Sequence, residues 1–280
     1  MSKFTYFISL VTTISLFSSP ALAQQLPEHG IFILNSLLFL IAGFLVMFMA
    51  CGFCMLEAGL VRSKNFLSVL MQCFAIAAVI SILWLVVGYS IAFGPSESLY
   101  WGGLSKSLFI GINVNSLSGD IPETVFASFQ MTFAIITPAL MVGAFVERIK
   151  FSSMLLFTTL WTLVIYFPVA NWVWGGGWLA ELGLIDFAGG TVVHITAGVG
   201  ALITAVVLGP RQGFLSSPMM PHNLTMSFTG AGMLWVGWFG FNAGSALAAD
   251  GSAGMALSLI HISEPTRPER ISYAVFCVKK

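Results

Sequence analysis

One histidine is the only ionisable side chain in the interior of a predicted membrane span. His194 occupies the eighth position of 187–208, a run of 22 residues without Asp, Glu, Lys or Arg. An uncharged run of this length predicts a membrane-spanning helix. Ionisable groups inside a membrane are costly and usually face a bundle interior or a cavity. His194 is therefore the first candidate for a functional residue.

The residues around His194 predict an open surface beside the imidazole. On an α-helix, Gly190, His194, Ala197 and Ala201 are spaced four, three and four apart, so they share one face. Small neighbours leave room for a partner helix or for a narrow passage. A histidine that only hydrogen-bonds a neighbouring helix is the alternative.

The composition predicts an all-α polytopic membrane protein. Of the 280 residues, 58% are hydrophobic and only 8% are charged, against roughly 25% charged residues in ordinary soluble domains. The zero net charge and the lack of a basic cluster argue against a nucleic-acid partner. The Cys51–Cys54 pair lies in an apolar segment, so we expect these cysteines, and Cys73, to be buried small hydrophobes. No metal site and no cofactor are predicted.

Six uncharged or nearly uncharged segments are long enough to cross a hydrocarbon core of roughly 30 Å. They cover about 31–55, 67–93, 124–146, 151–171, 187–208 and 224–248. With an external N-terminus, the loops after the first, third and fifth segments would face the cytoplasm. These loops hold Arg62, Lys64, Arg148, Lys150 and Arg211, whereas the external loops hold only Lys106. This asymmetry follows the positive-inside rule and predicts a multi-pass protein of the inner or plasma membrane.

The two ends of the chain predict segments outside this membrane domain. Residues 1–23 combine a short basic start, an apolar core and an Ala-Leu-Ala motif, a pattern typical of a secretory signal peptide. Residues 259–280 carry four basic and two acidic residues after a long charge-poor chain. We expect this tail to be foreign to the protein and the native chain to continue beyond the 24–258 domain.

Positions along the predicted helices place several side chains at increasing depth from the outer surface. Trp174, in the loop 172–186, and Ser245 lie at the mouth. At 1.5 Å per residue, Phe129 and Phe241 lie roughly 10 Å deep, and His194 and Phe133 lie roughly 12 and 16 Å deep. Asp186 directly precedes the fifth span, so we expect it to cap that helix.

This order of side chains suits a small cation that loses its charge. Each aromatic face attracts a cation by about 0.5–2 kcal/mol, and Ser245 can accept a hydrogen bond. Moving a bare ammonium-sized ion into a low-dielectric medium costs on the order of 20 kcal/mol in the idealised limit, whereas a neutral molecule could pass and hydrogen-bond to His194. For any single phenylalanine, core packing is the alternative.

Five segments, in order along the chain, closely resemble the ammonium transporters of the Amt/MEP/Rh family. They are FCMLEAGLVRSKN (53–65), VGAFVERIKFS (142–152), VWGGG (173–177), DFAGGTVVHITAG (186–198) and WFGFNAGSA (238–246). The resemblance covers about 28–257. It implies about six spans of an eleven-helix inverted-repeat fold, transport of ammonium or ammonia rather than enzymatic activity, a homotrimer, and a PII-type regulatory partner on the cytoplasmic face.

The resemblance also implies a role for each candidate residue. Trp174 and Ser245 correspond to the recruitment site with Phe133 as its cation–π wall, Phe129 and Phe241 to the paired gate, His194 to the first of two pore histidines, and Asp186 to a structural and electrostatic aspartate; Gln130 and Tyr166 also match. The second pore histidine belongs to a later helix that this sequence does not contain. His222 lies in a predicted cytoplasmic loop and His261 in the tail, so neither can replace it.

Two other classes of function are weighed. A bis-histidine haem or quinone carrier needs two intramembrane histidines on facing helices, and these spans provide one. An ammonium sensor would combine a transporter-like body with a signalling domain beyond the 24–258 region. We expect the 280-residue chain on its own not to transport ammonium, because it contains one repeat and a single further helix.

Overall fold

The computed structural model describes residues 28–259 of the chain. The predicted signal peptide at 1–23 and all but the first residue of the predicted tail at 259–280 lie outside the described residues. Within the described part the chain is mainly helical, and its only sheet is a two-stranded antiparallel hairpin of β1 (Leu117–Ser118) and β2 (Ile121–Pro122).

The helices are α1 (Glu28–Leu60), α2 (Phe66–Leu83), α3 (Tyr89–Phe93), α4 (Glu123–Ala139), α5 (Val142–Phe145), α6 (Phe151–Trp161), α7 (Phe167–Trp174), α8 (Trp178–Glu181), α9 (Thr196–Leu208), α10 (Leu224–Gly244) and α11 (Gly251–Leu259). Three π-helical turns, with i→i+5 bonding, join or precede them: Trp84–Gly88, Thr162–Tyr166 and Gly190–Ile195. Single 3-10 turns occur at Ser63–Asn65 and Ser107–Phe109.

Five mainly helical segments among the described residues are long and apolar enough to cross a membrane, which agrees with the predicted helical membrane fold. They are Gly30–Leu60, Ser63–Phe93, Glu123–Phe145, Phe151–Glu181 and Gly190–Leu208. The first and fourth are longer than the predicted 31–55 and 151–171. The first therefore also includes Glu57, so His194 is not the only ionisable residue within a span.

The sixth predicted span is present as helix α10 but is not among these five. Its 21 residues extend about 31 Å, so its length is sufficient. Five glycines and several hydroxyl or amide side chains dilute its apolar residues. Helix α10 is therefore long enough to cross the membrane, as predicted, but it is less apolar than the other five.

Helix α10 lies antiparallel against α1 along a seam of glycines. A methyl group on Gly230 would lie 2.5 Å from the carbonyl oxygen of Gly52 and from the amide nitrogen of Leu56. One on Gly240 would lie 2.6 Å from the carbonyl oxygen of Ala42. The two backbones therefore touch, as small residues permit between membrane helices.

Hydrogen bonds fasten this helix pair near both ends. At one end Ser227 Oγ donates to the carbonyl oxygen of Leu56 at 3.0 Å, and the Asn223 amide donates to that of Gly59 at 3.2 Å. At the other end the Ala249 amide donates to Asn35 Oδ1 at 2.8 Å, and Asn35 is buried. The register of the pair is therefore fixed over most of its length.

Helix α4 forms the centre of the bundle, and thirteen of its 17 residues are buried. It carries Phe129, Gln130 and Phe133, three of the residues singled out in the sequence. Trp84, the first residue of the π-helical turn after α2, donates a hydrogen bond from its Nε1 to the carbonyl oxygen of Ala127 at 3.1 Å. Candidate residues on α4 are therefore held by packing on several sides.

Three interhelical loops meet at the end of the bundle that contains Glu147. The Glu147 carboxylate accepts hydrogen bonds from Arg62 Nε at 3.1 Å and from Asn65 Nδ2 at 2.5 Å, and Arg211 Nη1 lies 4.0 Å away. Burial by itself would raise the pKa of Glu147, but the hydrogen bonds and charges of these partners outweigh it and hold the pKa below its usual value. Glu147 has a left-handed φ of 67°, a conformation that such a network can sustain.

The three cysteines within residues 28–259 differ in environment. Cys73 is buried and Cys54 is half-buried, whereas Cys51 is exposed on the outer surface of α1. The expectation that all three are buried was therefore wrong for Cys51. The reason is the helical phase, since residues three apart are displaced by about 60° around a helix axis.

The α1–α10 seam predicts a difference between two glycines of one helix. We expect Gly230→Ala to lower stability by about 1–3 kcal/mol, because the added methyl group must push the two backbones apart. Gly232→Ala is the matched control, since a methyl group there would have no atom within 4 Å and alanine favours helix. Apparent melting temperatures of the purified variants in detergent measure the effect, and equal values would contradict the seam.

Candidate functional site

A cavity of about 280 Å³ opens at the end of the bundle opposite Glu147; we call it the mouth cavity. Its walls combine aromatic rings with a few polar groups, and they include Phe126, Gln130, Phe133, Trp174, Asp186 and Ser245. The sequence placed Trp174 in a loop, but it is the last residue of α7. Helix α7 continues through Asn171 and Trp172, and Gly175 caps its C-terminal end.

Trp174 is fixed in orientation by two contacts. Its Nε1 donates a hydrogen bond to the carbonyl oxygen of Asp186 at 2.8 Å. Its ring meets that of Phe133 edge-on, with centroids 5.7 Å apart and planes at 85°. Two aromatic surfaces at right angles therefore form one corner of the mouth cavity.

Ser245 faces the same cavity from the end of α10. Its hydroxyl donates to the carbonyl oxygen of Phe241 at 2.8 Å, so the hydrogen of that hydroxyl is already committed. The lone pairs of Ser245 Oγ can then accept a hydrogen bond from a ligand. Gln130, which is 7% exposed, adds an amide to the wall. Tyr166 is buried beside Phe167 and does not line this cavity.

Stacked rings close the inner side of the mouth cavity. The ring centroid of Phe133 lies 4.4 Å from that of Phe241, with the ring planes at 39°. It lies 4.9 Å from the ring centroid of Phe129. Phe129 in turn contacts Phe39 of α1 at 5.0 Å. All four rings are about 1% exposed. The ring that stacks on Phe241 is therefore Phe133, and Phe129 supports it from behind.

His194 lies on the far side of this aromatic barrier. Its imidazole is 5.9 Å from the ring of Phe241, with the planes at 38°. Trp174, Phe133, Phe241 and His194 therefore form a continuous file of neighbouring rings. The depths predicted from the sequence placed Trp174 at the outer end of this file, but they placed Phe133 deeper than His194.

The predicted small-residue face around His194 is not a single surface. Gly190 and His194 are exposed, whereas Ala197 is buried. The π-helical turn Gly190–Ile195 shifts the helical phase between them, because its bonds run i→i+5. Helix α9 buries only Ala197 among its 13 residues. The imidazole therefore lies on an uncovered side of the described chain.

Asp186 organises the start of this segment, as its position predicts. Its Oδ1 accepts hydrogen bonds from the amides of Gly189 and Gly190 at 2.7 and 2.8 Å, and its Oδ2 from those of Thr191 and Val192 at 2.7 and 2.9 Å. The first amides of a helix have no partner within it, and a carboxylate also favours the positive end of the helix dipole. One side chain thus satisfies four consecutive backbone donors.

Several wall residues of the mouth cavity escaped the sequence analysis. Phe126 is three residues before Phe129 on α4, so the helical spacing could have indicated it. Phe93 and Leu247 also line the cavity. They come from the end of α3 and from the segment after α10, and no local pattern brings these segments together.

Comparisons with known proteins identify similar sequences. The family model described as Ammonium Transporter Family matches residues 37–262. The chain is 48% identical over 213 residues to the ammonium transporter of Bacillus subtilis, and 48% identical over 218 residues to a putative ammonium transporter of Methanothermobacter thermautotrophicus. These matches cover 75% and 76% of the chain and 52% of each relative. The chain spans about half the length of the curated relatives it matches.

Solved structures are similar over the same region. A protein named Sensor Amt Protein superposes with a TM-score of 0.76 at 32% identity, covering 82% of this chain and 59% of that one. Mep2 of Candida albicans superposes with a TM-score of 0.73 at 31% identity, covering 84% of this chain and 53% of that one.

The four hydrogen bonds to Asp186 predict the effect of a minimal substitution. Asp186→Asn replaces one acceptor oxygen with an NH₂ group, so two backbone amides lose their acceptor at about 1–3 kcal/mol each. We expect faster amide hydrogen exchange across 187–195 in the purified protein. Asp120→Asn, at an exposed loop position, is the control. Unchanged exchange in Asp186→Asn would show that the carboxylate does not hold this turn.

Proposed function

The chain belongs to the ammonium transporter family, and we propose that its parent protein moves ammonium or ammonia across a membrane along the file that starts at Trp174. The observation that carries the proposal is the mouth cavity with Trp174, Phe133 and Ser245 in its wall, backed by Phe241 and His194. The named curated relatives are transporters, and five helices suit a membrane.

Ammonium would be recruited in the mouth cavity. The faces of Trp174 and Phe133 offer cation–π attraction, and Ser245 offers a hydrogen-bond acceptor. Each contribution is small, so together they can hold a cation briefly without trapping it. Tight binding would oppose transport, because the ion must also leave.

The Phe133–Phe241 pair would be the barrier to the charged ion. The two rings are in contact at 4.4 Å and are almost fully buried. We assign the gate to this pair and give Phe129 the role of support, which shifts one role from the assignment that the motifs implied. A bare ion would lose its hydration here, whereas neutral ammonia would cross at a lower cost.

His194 would receive the molecule that passes the barrier. Its imidazole follows Phe241 directly and can donate or accept one hydrogen bond. The uncovered surface beside it would be covered by helices that the longer relatives have room for. A second histidine would belong to that part of the protein.

The wider setting of the proposal follows the family. We propose a multi-pass protein of the inner or plasma membrane, with its mature N-terminus outside, that assembles as a homotrimer and meets a PII-type regulator at the Glu147 end. Neither a cofactor nor an enzymatic step is part of this proposal. The chain of residues 24–258 would be the first part of the transporter domain.

An ammonium sensor is the second candidate. One similar solved structure carries the name Sensor Amt Protein, so this body also occurs in a protein named as a sensor. A sensor would bind ammonium at the same mouth cavity and would transmit the signal through a further domain. Measuring ammonium flux across the membrane distinguishes the two candidates, because a transporter moves ammonium and a sensor only binds it.

Growth on limiting ammonium tests the function. We expect an uptake-deficient strain to be rescued by a chimera in which residues 1–258 are followed by the second half of the Bacillus subtilis relative. The 280-residue chain alone should not rescue, because His194 would lack a partner and would face lipid. His194→Ala in the chimera should abolish rescue at unchanged membrane expression.

Two controls make this test specific. His222→Ala removes a histidine at the other end of the bundle and should leave rescue intact. A chimera that inserts but never conducts ammonium would contradict transport and favour the sensor. Rescue by the 280-residue chain alone would mean that its helices build a pathway between subunits.

Recruitment at the mouth predicts a change in concentration dependence. In the chimera, Trp174→Leu should raise the half-saturating concentration for methylammonium uptake by about twofold to thirtyfold, as loss of about 0.5–2 kcal/mol of cation–π attraction requires. Trp172→Leu is the matched control, because that indole donates to the Tyr100 carbonyl oxygen and does not line the mouth cavity. Equal curves for the two variants would remove Trp174 from recruitment.

A further inference from the structure

A second and larger cavity, of about 510 Å³, adjoins the mouth cavity; we call it the side cavity. It lies under the β1–β2 hairpin, and Trp174 and Phe126 line both cavities. Its wall also carries the charged residues Lys106, Asp120 and Glu123. A cation on its way to Trp174 therefore passes beside a space that contains two carboxylates.

Glu123 and Tyr89 form a cation site in this wall. The Glu123 side chain is 6% exposed and begins helix α4. The Tyr89 hydroxyl donates to Glu123 Oε1 at 2.8 Å, which directs the phenol ring alongside the carboxylate. A carboxylate beside an aromatic ring binds ammonium groups well, through charge-assisted hydrogen bonds and cation–π attraction.

The ammonium group that occupies this site belongs to the chain itself. Lys106 Nζ forms an ion pair and hydrogen bond with Glu123 Oε1, and it lies 5.8 Å from the centre of the Tyr89 ring. The Lys106 backbone is held as well, since its amide donates to Ser90 Oγ at 3.0 Å. Both the backbone and the ammonium group of Lys106 are therefore held in position.

We propose that Lys106 is a tethered ammonium ion that fills the Glu123–Tyr89 site and so keeps free cations out of the side cavity. The proposal rests on the proposed function, because it concerns what reaches the mouth cavity. Lys106 acts as a specificity-determining residue: it does not touch the transported molecule, but it removes a competing site next to the recruitment site.

The balance of charge explains why such occupation matters. With Lys106 paired, the side cavity keeps one uncompensated carboxylate, Asp120, which is exposed to solvent. Without Lys106, the nearly buried Glu123 would be an unpaired carboxylate, which is costly unless a cation binds it. A carboxylate site selects for charge more than for ammonium, so potassium would bind there too.

The charge state of Glu123 would also act on the mouth cavity. An unpaired Glu123 would attract a cation beside Trp174, and a potassium ion bound at Glu123 would cancel that attraction. Without Lys106, ammonium recruitment would therefore weaken as potassium became abundant. The tethered lysine removes this dependence, because it neutralises Glu123 at any potassium concentration.

The test compares variants of the chimera in nanodiscs, using equilibrium binding of radiolabelled methylammonium alone. Lys106→Met keeps a similar aliphatic stem and removes the charge, so we expect one additional methylammonium bound per chain. Potassium should displace it and should raise the half-saturating methylammonium concentration for uptake by about twofold to fivefold, as expected for partly exposed ion pairs. Lys106→Arg keeps the charge and should show neither effect.

Three further variants make the outcome decisive. Lys106→Met with Glu123→Gln should lose the additional site, because the carboxylate is gone. Lys150→Met, at the opposite end of the bundle, should bind no additional methylammonium. Trp174→Leu should weaken the original site and leave the additional one of Lys106→Met intact, so that failure of recruitment and failure of the side-cavity site are observed separately.

Either of two results would overturn the proposal. If Lys106→Met binds no additional methylammonium and shows only a lower melting temperature, Lys106 serves merely to anchor the loop before β1. Binding of an additional methylammonium that persists after Glu123→Gln would also overturn it, because the carboxylate would not be the ligand.

Discussion

The structure at the mouth depends on the placement of a single residue, Asp186. Its two carboxylate oxygens satisfy four amides at the start of the His194 segment, and its own carbonyl oxygen holds the indole of Trp174. The outer wall of the mouth cavity and the helix behind the aromatic barrier are thereby tied to one point. Inside a membrane, where water does not replace missing hydrogen bonds, such complete satisfaction is a requirement for a helix that begins at a cavity.

At the Glu147 end a carboxylate again accepts several hydrogen bonds, but here the donors are charged and amide side chains instead of backbone amides. Glu147 joins Arg62, Asn65 and Arg211 from two other loops, and Arg148 Nη1 donates to the Gly209 carbonyl oxygen at 2.6 Å. The depressed pKa of Glu147 means that the carboxylate contributes stability above the usual carboxyl pKa. That contribution is lost as the pH falls through the lower pKa of the folded state. Each end of the bundle is thus closed by carboxylates with several donors.

The sequence predicted most helices and singled out several of the residues that line the mouth cavity, because both follow from local rules. Length and lack of charge marked the spans, and the position of Asp186 predicted its cap. The π-helical turn before α9 carries no local signal, so the face of His194 was misjudged. Phe129 and Phe133 share a helix face, and only the approach of α10, whose Gly244 lies against Phe129, decides which ring stacks on Phe241. Trp174 was misplaced because the end of α7 depends on a fold-specific turn at Gly175.

The glycine seam between α1 and α10 has a consequence for biogenesis. The two helices are joined by contacts between residues far apart in the chain, among them a hydrogen bond between residues 171 positions apart, and α10 is too rich in glycine and hydroxyl groups to dissolve readily in lipid. Helix α1 leaves the ribosome first and is strongly apolar. Helix α1 therefore provides the packing surface against which α10 enters the membrane. The translocon must retain α1, or release it nearby, until α10 is synthesised. Membrane integration of the sixth helix is in this sense templated by the first.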